Sequence, residues 1–332
     1  YYLLQAKIEP GNINGIQISP TVQATKSNYL RKHGGKRTVF LNFFLKKKRN
    51  IKILSNLKLS EQGTRFLEKH NRNILIEIKN INIPKKSNFC WLTKTNLKHL
   101  LQKKNILNMD TISVLSSVIK KNKIDNPFEN FSKINLKLNK FKKDFQLKRS
   151  LIKFTNLEGW KIQDYSIYDL KKKFFSIFFI NIKANTREVK TWDQPIISDH
   201  FISLNGFLVC KINNTLHYLL NLKFEPGFKS PKYTSTISEK NFLYKNIKKI
   251  KYYNFFKKKN YLLNIINSDE GGRFFKNQSK NIICKLKNYN KLNLSKNYTW
   301  VSHNQLIKLI NQNKITIEAR NLFASYNIDK IR

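Results

Sequence analysis

The chain carries one sequence pattern twice, and this internal repeat constrains its fold more than any other feature. Three short segments recur in the same order at spacings of 216, 208 and 209 residues, and their anchor residues are Glu9 and Glu225, Arg65 and Arg273, and Trp91 and Trp300. Collinear matches at nearly constant spacing are typical of a duplicated structural unit. The sequence therefore predicts two copies of one module.

The repeat also predicts the domain boundaries. In copy two, residues 156–216 precede the Glu-Pro-Gly segment, whereas copy one opens directly on that segment. We therefore expect residues 1–119 to be the C-terminal two thirds of a first module whose N-terminal part is missing. Residues 120–149 are rich in Lys and Asn and are predicted to be a partly helical linker. Residues 150–332 are predicted to form the second module.

Local patterns predict an α+β fold with mixed sheets. β-Branched and aromatic residues with partial alternation favour strands at residues 2–8, 38–45 and 74–78. A helix is expected after each repeated tryptophan, with Thr93 and Ser302 as N-caps and Gln305 completing a capping box on Ser302. Strands outnumber helices and are irregularly spaced, which argues against a doubly wound sheet.

The net charge is unusually high, because 64 Lys and Arg face only 20 Asp and Glu, giving +44. Such a charge is typical of nucleic-acid binding. The chain is also rich in Asn, Ile, Phe and Tyr, which A/T-rich codons encode, so mutational drift in an A/T-rich genome accounts for much of the lysine. Both interpretations stay open, and we expect the drift interpretation, with no nucleic-acid partner.

Cysteine usage and hydropathy predict a cytoplasmic protein. Cys90, Cys210 and Cys284 are odd in number and lie far apart, which argues against a disulfide framework or a zinc site. The longest apolar run, residues 174–182, is interrupted by polar residues and is too short for a membrane span. No dinucleotide fingerprint, Walker loop, zinc-protease motif or serine nucleophile elbow is present.

Residues 9–29 form the densest motif and contain Lys26 alone among lysines. The segment is rich in neutral amides and hydroxyls, which are suited to hydrogen bonding with a sugar. A polar strand–turn–strand on the surface is the alternative interpretation, because turns also favour Asn, Gly and Ser. His33 follows directly, and its side chain titrates near neutral pH.

The repeated glycine loops at residues 60–66 and 268–274 each place a glycine turn beside an arginine. Backbone N–H groups and a guanidinium together suit a diphosphate, although a purely structural turn is an equal alternative. Trp192 follows a predicted strand, where it either stacks on a nucleobase or anchors the core.

Taken together, these segments resemble the NDP-hexose 2,3-dehydratase family. The match covers residues 9–29 without departure and extends to residues 60–66, 91–93, 108–111 and 187–195. The resemblance implies two tandem Nudix-like modules, a homodimer and a dTDP-4-keto-6-deoxy-hexose substrate. The glutamate-dense helix of Nudix hydrolases is absent, so no metal site is expected. The implied reaction requires no cofactor.

The reaction implied by the resemblance removes the C3 proton and then the C2 hydroxyl, giving a 3,4-diketo-2,6-dideoxy sugar. It requires a base, donors to the C4 oxyanion and an acid. Our catalytic candidates are Tyr29 and His33 as acid or base, with Gln17, Gln23 and Asn28 as sugar and oxyanion donors. The substrate-binding candidates are Glu9, Asn12, Ser27, Ser60, Gln62, Gly63, Arg65, Asp110, Trp192, Gly271, Arg273 and Glu318.

Two further expectations follow from comparing the copies. Copy two has a lysine-containing run where copy one has its amide-rich segment, so we expect copy one to hold the chemistry and copy two to provide a supporting site. The rival hypothesis is a non-catalytic protein that binds a nucleotide-sugar or RNA. Steep salt dependence would distinguish RNA binding from dTDP binding.

Overall fold

The computed structural model describes residues 1–332 except 33, 46–48, 172, 186, 241–249 and 258–259. It is a mixed α and β structure with several sheets. The strands within residues 1–119 are β1 (Tyr2–Lys7), β2 (Gln17–Pro20), β3 (Ile51–Ser60), β4 (His70–Ile78) and β5 (Phe89–Leu92). The helices of this part are α1 (Lys26–Tyr29), α2 (Leu41–Leu45), α3 (Lys94–Gln102) and α4 (Met109–Ser116).

The remaining elements begin with helix α5 (Phe131–Asp144). The strands that follow are β6 (Trp160–Gln163), β7 (Ser166–Asp169), β8 (Phe175–Lys183), β9 (Thr191–Asp199), β10 (Ser203–Ile212), β11 (Thr215–Lys223), β12 (Lys232–Thr234), β13 (Ile237–Glu239), β14 (Tyr261–Ser268), β15 (Gln278–Leu286) and β16 (Tyr298–Ser302). The helices are α6 (Tyr253–Lys257), α7 (His303–Asn311) and α8 (Ile317–Tyr326). No helix within the described ranges has the length and apolar character to cross a bilayer.

The described strands form four sheets. A three-stranded sheet has the order β2–β1–β5, β3 and β4 form a hairpin, and β6–β7–β8–β9 form an antiparallel sheet. The largest sheet has the order β12–β11–β10–β15–β14, with β13 beside β10 and β16 beside β11. Strands β10 and β15 pair in parallel, so this sheet is mixed.

Corresponding segments of the two copies occupy corresponding elements. In copy one, β1 pairs antiparallel with β5 and Leu3 faces Trp91. In copy two, β11 pairs antiparallel with β16 and Leu219 faces Trp300. Each glycine loop follows the first strand of a hairpin, β3–β4 or β14–β15.

Two of the three strand predictions are confirmed, by β1 and by the end of β4, and one is wrong. The aromatic run at residues 38–45 forms helix α2 instead of a strand. Phe40 adopts a positive φ of 62°, which breaks the extended backbone, and its ring packs edge-on against Phe89 at 4.9 Å. The aromatic side chains of this run are only partly buried, so they do not by themselves indicate a strand. Thr93 and Ser302 cap α3 and α7 as predicted.

One apolar core joins the two copies. Helix α4 packs on its copy-two counterpart α8. The core contains buried residues of both copies, such as Leu115 and Phe323, and Tyr218 packs edge-on against Phe323 at 5.2 Å. Helix α5, in the predicted linker, adds Ile134 and Leu138 to the same core. Burial of these side chains, at about 25 cal/mol per Å², holds the copies in a fixed relation.

Candidate active site

The Glu-Pro-Gly turn of each copy rests on the glycine loop of the other copy. Gly11 donates its N–H to the carbonyl of Gly271 at 2.8 Å, and Gly227 donates to Gly63 at 2.7 Å. A Cβ at Gly11 would collide with the carbonyl oxygen of Phe274. Such close backbone approach requires glycine, and it means that each site is built from both copies.

A cavity of about 1700 Å³ opens beside the first of these junctions. Its walls come from β1, β4, α4, β8, β9 and the copy-two glycine loop. The amide-rich segment of residues 9–29 runs along this cavity and is not spread over an open surface, as Glu9, Gln23 and Tyr29 all line it. The volume is large enough for a nucleotide-sugar, since pockets that bind drug-sized ligands measure about 300–1,000 Å³.

Arg273 lies at the inner end of the cavity between three carboxylates. Its Nε is 2.6 Å from Glu270, its Nη1 is 3.4 Å from Glu61 and its Nη2 is 3.6 Å from Asp110. Burial opposes the charge of Arg273, but these three acids hold its pKa above the usual value. The guanidinium therefore stays charged.

A second chain of contacts leads to Asp110 from strand β1. Lys7 Nζ lies 2.6 Å from Glu9 and donates to Gln23 Oε1 at 2.7 Å. Gln23 in turn donates from Nε2 to Asp110 Oδ2 at 2.8 Å. Arg187 reaches Glu9 from the outer side at 3.4 Å. Gln23 and Arg273 therefore both approach the carboxylate of Asp110.

The surroundings of these carboxyls separate their pKa values. Burial, together with Glu61 and Glu270, raises the pKa of Asp110 to about 7 against the opposing effect of Arg273. Burial and Glu270 also raise the pKa of Glu9. Burial works against ionisation of Glu270 too, but Arg273 and Lys7 hold its pKa below the usual value. Carboxyls with separated pKa values at one cavity are the usual equipment of acid–base catalysis.

Comparison with known proteins agrees with this chemistry. The family model described as NDP-hexose 2,3-dehydratase matches residues 1–118 and 132–326. The chain belongs to this family.

Three relatives match nearly the whole chain, and each is named dTDP-4-dehydro-6-deoxy-alpha-D-glucopyranose 2,3-dehydratase. The protein from Saccharopolyspora spinosa is 29% identical, over 97% of this chain and 72% of the relative. That from Streptomyces violaceoruber is 28% identical, over 98% and 76%. That from Amycolatopsis orientalis is 29% identical, over 98% and 70%.

The site residues predicted from the sequence of this dehydratase-family chain fall into three groups. Those that line the cavity are Glu9, Gln23, Asn28, Tyr29, Asp110, Trp192 and Arg273. Those at the composite junction beneath it are Asn12, Gln17 and Gly271. Those around the second junction are Ser60, Gln62, Gly63, Arg65 and Glu318. Ser27 is not among the residues that line this cavity, and His33 lies outside the described residues.

The candidate Gln17 supports the site and does not reach the cavity. Its amide donates to Ser268 Oγ at 2.6 Å and to the Asp269 carbonyl at 3.1 Å, and its oxygen accepts from Asn108 at 3.1 Å. A fully buried amide whose bonds are satisfied internally cannot also donate to a sugar. Its role as an oxyanion donor stays a prediction, since the described fold uses the amide to join the two copies.

Tyr29 and Asn28 lie nearer the mouth of the cavity. Tyr29 is 43% exposed, a position in which water competes for its hydroxyl. The Asn28 side chain accepts from the backbone of Thr25 at 2.8 Å in the capping box of α1. Both residues line the cavity, and their catalytic roles stay predictions.

Neither glycine-loop arginine has the free charge that a diphosphate clamp requires. Arg65 is paired with Asp199 through Nε at 2.9 Å and Nη2 at 2.5 Å, and Arg273 faces three acids. A surplus of negative charge beside a guanidinium repels a diphosphate. The diphosphate clamp therefore stays a prediction, since the sequence does not show which acids fold against each arginine.

Sequence reasoning also missed three charged residues of the dehydratase-family site. Lys7, Glu61 and Glu270 all contact the predicted candidates. Glu61 and Glu270 lie within the repeated glycine loops, and both are buried. The sequence signal that could have identified them is the acidic residue near the glycine of each loop.

The second junction also forms a cluster of charged residues. Burial and Glu318 raise the pKa of Glu225 to about 7. Lys240 lies 3.9 Å from Asp269 and donates to Gln62 Oε1 at 3.2 Å. The cavity lies at the first junction, which carries the amide-rich segment of copy one. The Arg273 and Glu270 that line it come from copy two.

Proposed function

We propose that this chain is a hydro-lyase that removes water across C2–C3 of a dTDP-4-keto-6-deoxy-hexose. The product is the 3,4-diketo-2,6-dideoxy sugar nucleotide. The observation that carries the proposal is the position of Asp110, a carboxyl held by Gln23 and facing Arg273 in the wall of a cavity of nucleotide-sugar size. The family of the chain and the names of its relatives support the same reaction.

Asp110 is the proposed base. The C4 ketone acidifies the proton on C3, so that a carboxylate can remove it and leave an enolate. Proton transfer is most efficient when the pKa of the base lies near the working pH, which the burial of Asp110 achieves. The carboxyl is still 14% accessible and can reach a substrate.

Glu9 is the proposed acid for the departing C2 hydroxyl. Burial and Glu270 raise the pKa of Glu9, and its buried Oε2 has no hydrogen-bond partner. As the enolate collapses, the C2–O bond breaks and the hydroxide takes the proton from Glu9 to leave as water. The resulting enol tautomerises to the diketone. Glu9 recovers a proton from Asp110 through solvent, so no cofactor is consumed.

Lys7 is the proposed donor to the C4 oxyanion. An ammonium carries three N–H groups, and Lys7 uses contacts to Glu9 and Gln23. Its remaining donor would stabilise the enolate in a site from which water is largely excluded. The outer wall, which includes Lys52 and Arg72, would hold the diphosphate, and Trp192 would stack on the base.

The test is to incubate the purified protein with the dTDP-linked 4-keto-6-deoxy sugar and to identify the product by mass spectrometry and NMR. The expected product has lost one water and lacks the C2 hydroxyl. Substrate that is bound but returned unchanged would contradict the proposal. Affinity for dTDP that varies little with salt separates this function from RNA binding, whose affinity falls steeply.

We also propose that the two copies are Nudix-like modules and that the protein acts as a cytoplasmic homodimer. The recurrence of β1–β5 pairing in β11–β16 supports one ancestral module. Superposition of the copies on a solved Nudix domain and sedimentation equilibrium test the fold and the dimer, and a monomer at micromolar concentration would contradict the dimer.

A further inference from the structure

Glu61 is a buried carboxylate that the proposed chemistry does not use. It lies in the copy-one glycine loop and its side chain is only 1% accessible. One oxygen accepts a hydrogen bond from Asn71 Nδ2. The other oxygen has no hydrogen-bond partner and points to Arg273 Nη1 at 3.4 Å.

Burial of the Glu61 carboxylate in this arrangement lowers the stability of the folded protein if Glu61 is considered alone. Burying a carboxylate is unfavourable unless it is paired and hydrogen-bonded. Glu61 has one full bond, to a neutral amide, and its ion pair is longer than a hydrogen bond. Arg273 already has a close partner in Glu270 at 2.6 Å. Glu61 is therefore not the only counter-charge of Arg273, and its charge also opposes the effect of burial on the pKa of Arg320.

The consequence falls on Asp110, which lies on another side of the same guanidinium. The Nη2 of Arg273 is 3.6 Å from Asp110, beyond hydrogen-bond distance. An arginine free to close that gap would form a direct pair with the carboxylate, and such a pair lowers the basicity of the acid. Glu61 attracts the Nη1 end and Glu270 binds the Nε edge, so both oppose this closure.

We propose that Glu61 is a positioning residue of the dehydration, which anchors Arg273 so that Asp110 remains a free and reactive base. The proposal rests on the proposed role of Asp110. It also assigns a function to the composite architecture, because Glu61 belongs to the glycine loop of the second junction and reaches across to the first.

The remaining charges around Asp110 are on separate elements. Glu270 and Arg273 face it from the copy-two loop, and Arg320 of α8 acts on it from the buried interior. Lys7 and Glu9 of β1 reach it only through Gln23. Among the charges that these contacts bring to Asp110, Glu61 and Glu270 raise its pKa, and Arg273 lowers it.

The experiment compares Glu61→Gln with the wild-type protein in the pH dependence of kcat/KM. Gln keeps the shape and can still accept from Asn71, so folding should persist, as thermal unfolding will check. Without the negative charge, Arg273 closes on Asp110 and its pKa falls. The acid limb of kcat/KM should move down by about one pH unit, and kcat should fall about tenfold with KM little changed.

Two variants make the result specific. Asp269→Asn removes the carboxylate at the matching position of the copy-two loop, which lies 3.9 Å from Lys240 at the other junction. It should leave the acid limb in place. Glu61→Asp retains the charge and should return the limb towards the wild-type position.

The outcomes separate this inference from the proposed function. An acid limb that stays in place in folded Glu61→Gln, while Asp110→Asn abolishes turnover, overturns the role of Glu61 alone. Full turnover by Asp110→Asn overturns the assigned base and the role of Glu61 with it. A limb displaced equally by Asp269→Asn would show a general charge effect and overturn the specific anchor.

Discussion

The side-chain amide of Gln23 donates to the carboxylate of Asp110 at 2.8 Å, across 87 residues of sequence. This bond joins the amide-rich segment of copy one to the start of helix α4. Arg273 Nη2 approaches the same oxygen, Asp110 Oδ2, at 3.6 Å. The amide-rich segment therefore holds the proposed base in place and also contains Glu9, the proposed acid.

Asp110→Asn should abolish most turnover while the protein still folds and binds dTDP. Asn has the same shape but cannot accept the C3 proton, and loss of a general base lowers kcat by about 10²–10⁴-fold. Product formation and calorimetric titration with dTDP measure the two effects. Asp329→Asn, at an exposed pair with Lys98, is the matched control and should retain full turnover.

Tyr29→Phe should retain turnover within about threefold of wild type, because an exposed hydroxyl contributes little differential stabilisation of a transition state. Steady-state assays at saturating substrate measure the effect. A loss comparable to that of Asp110→Asn would instead return Tyr29 to the role of acid or base.

The activity should depend on pH with an acid limb centred near pH 7. Asp110 must be ionised to accept a proton, and its pKa is raised to about 7 by burial, Glu61 and Glu270. Below that value the protonated fraction grows, so kcat/KM should fall about tenfold for each further pH unit. Stopped assays between pH 5 and pH 9, with protein stability monitored at each pH, measure the limb. A limb near pH 4 would contradict the assigned base.

Glu225→Gln should stabilise the protein at pH 8 and have little effect at pH 4. Burial and Glu318 raise the folded-state pKa of Glu225 from 4.5 to about 7. The folded state therefore opposes ionisation, and the wild type loses stability as the pH rises from about 4.5 through 7. The gain in the free energy of unfolding should be on the order of 2 kcal/mol above pH 7. Urea titrations at both pH values test the sign.

Gly11→Ala and Gly227→Ala should each destabilise the protein by about 3 kcal/mol or more, because the new methyl collides with backbone that cannot move aside. The obstructing atoms are the carbonyl oxygens of Phe274 and Phe66. Gly159→Ala is the control, as its φ of +74° is strained but the space around it is open. It should cost about 1 kcal/mol, and equal losses at the three sites would contradict the close approach.

Much of this structure follows from local sequence. Residues close together in the sequence determine several elements. These are the N-caps Thr93 and Ser302, strand β1 and the helices after each tryptophan. The prediction for residues 38–45 was the exception, because aromatic side chains occur in both strands and helices. The contact of Phe40 with Phe89 forms only in the folded chain and decides between the two.

The sequence by itself determined the repeat, the family and the segments from which the site is made. The tertiary structure decided which copy's glycine loop meets which Glu-Pro-Gly turn, because both copies carry both segments and local interactions do not distinguish the pairings. It also decided the raised pKa of Asp110, because the pKa of a carboxyl depends on burial and on charges that the chain brings from distant positions, here Glu61, Glu270 and Arg273.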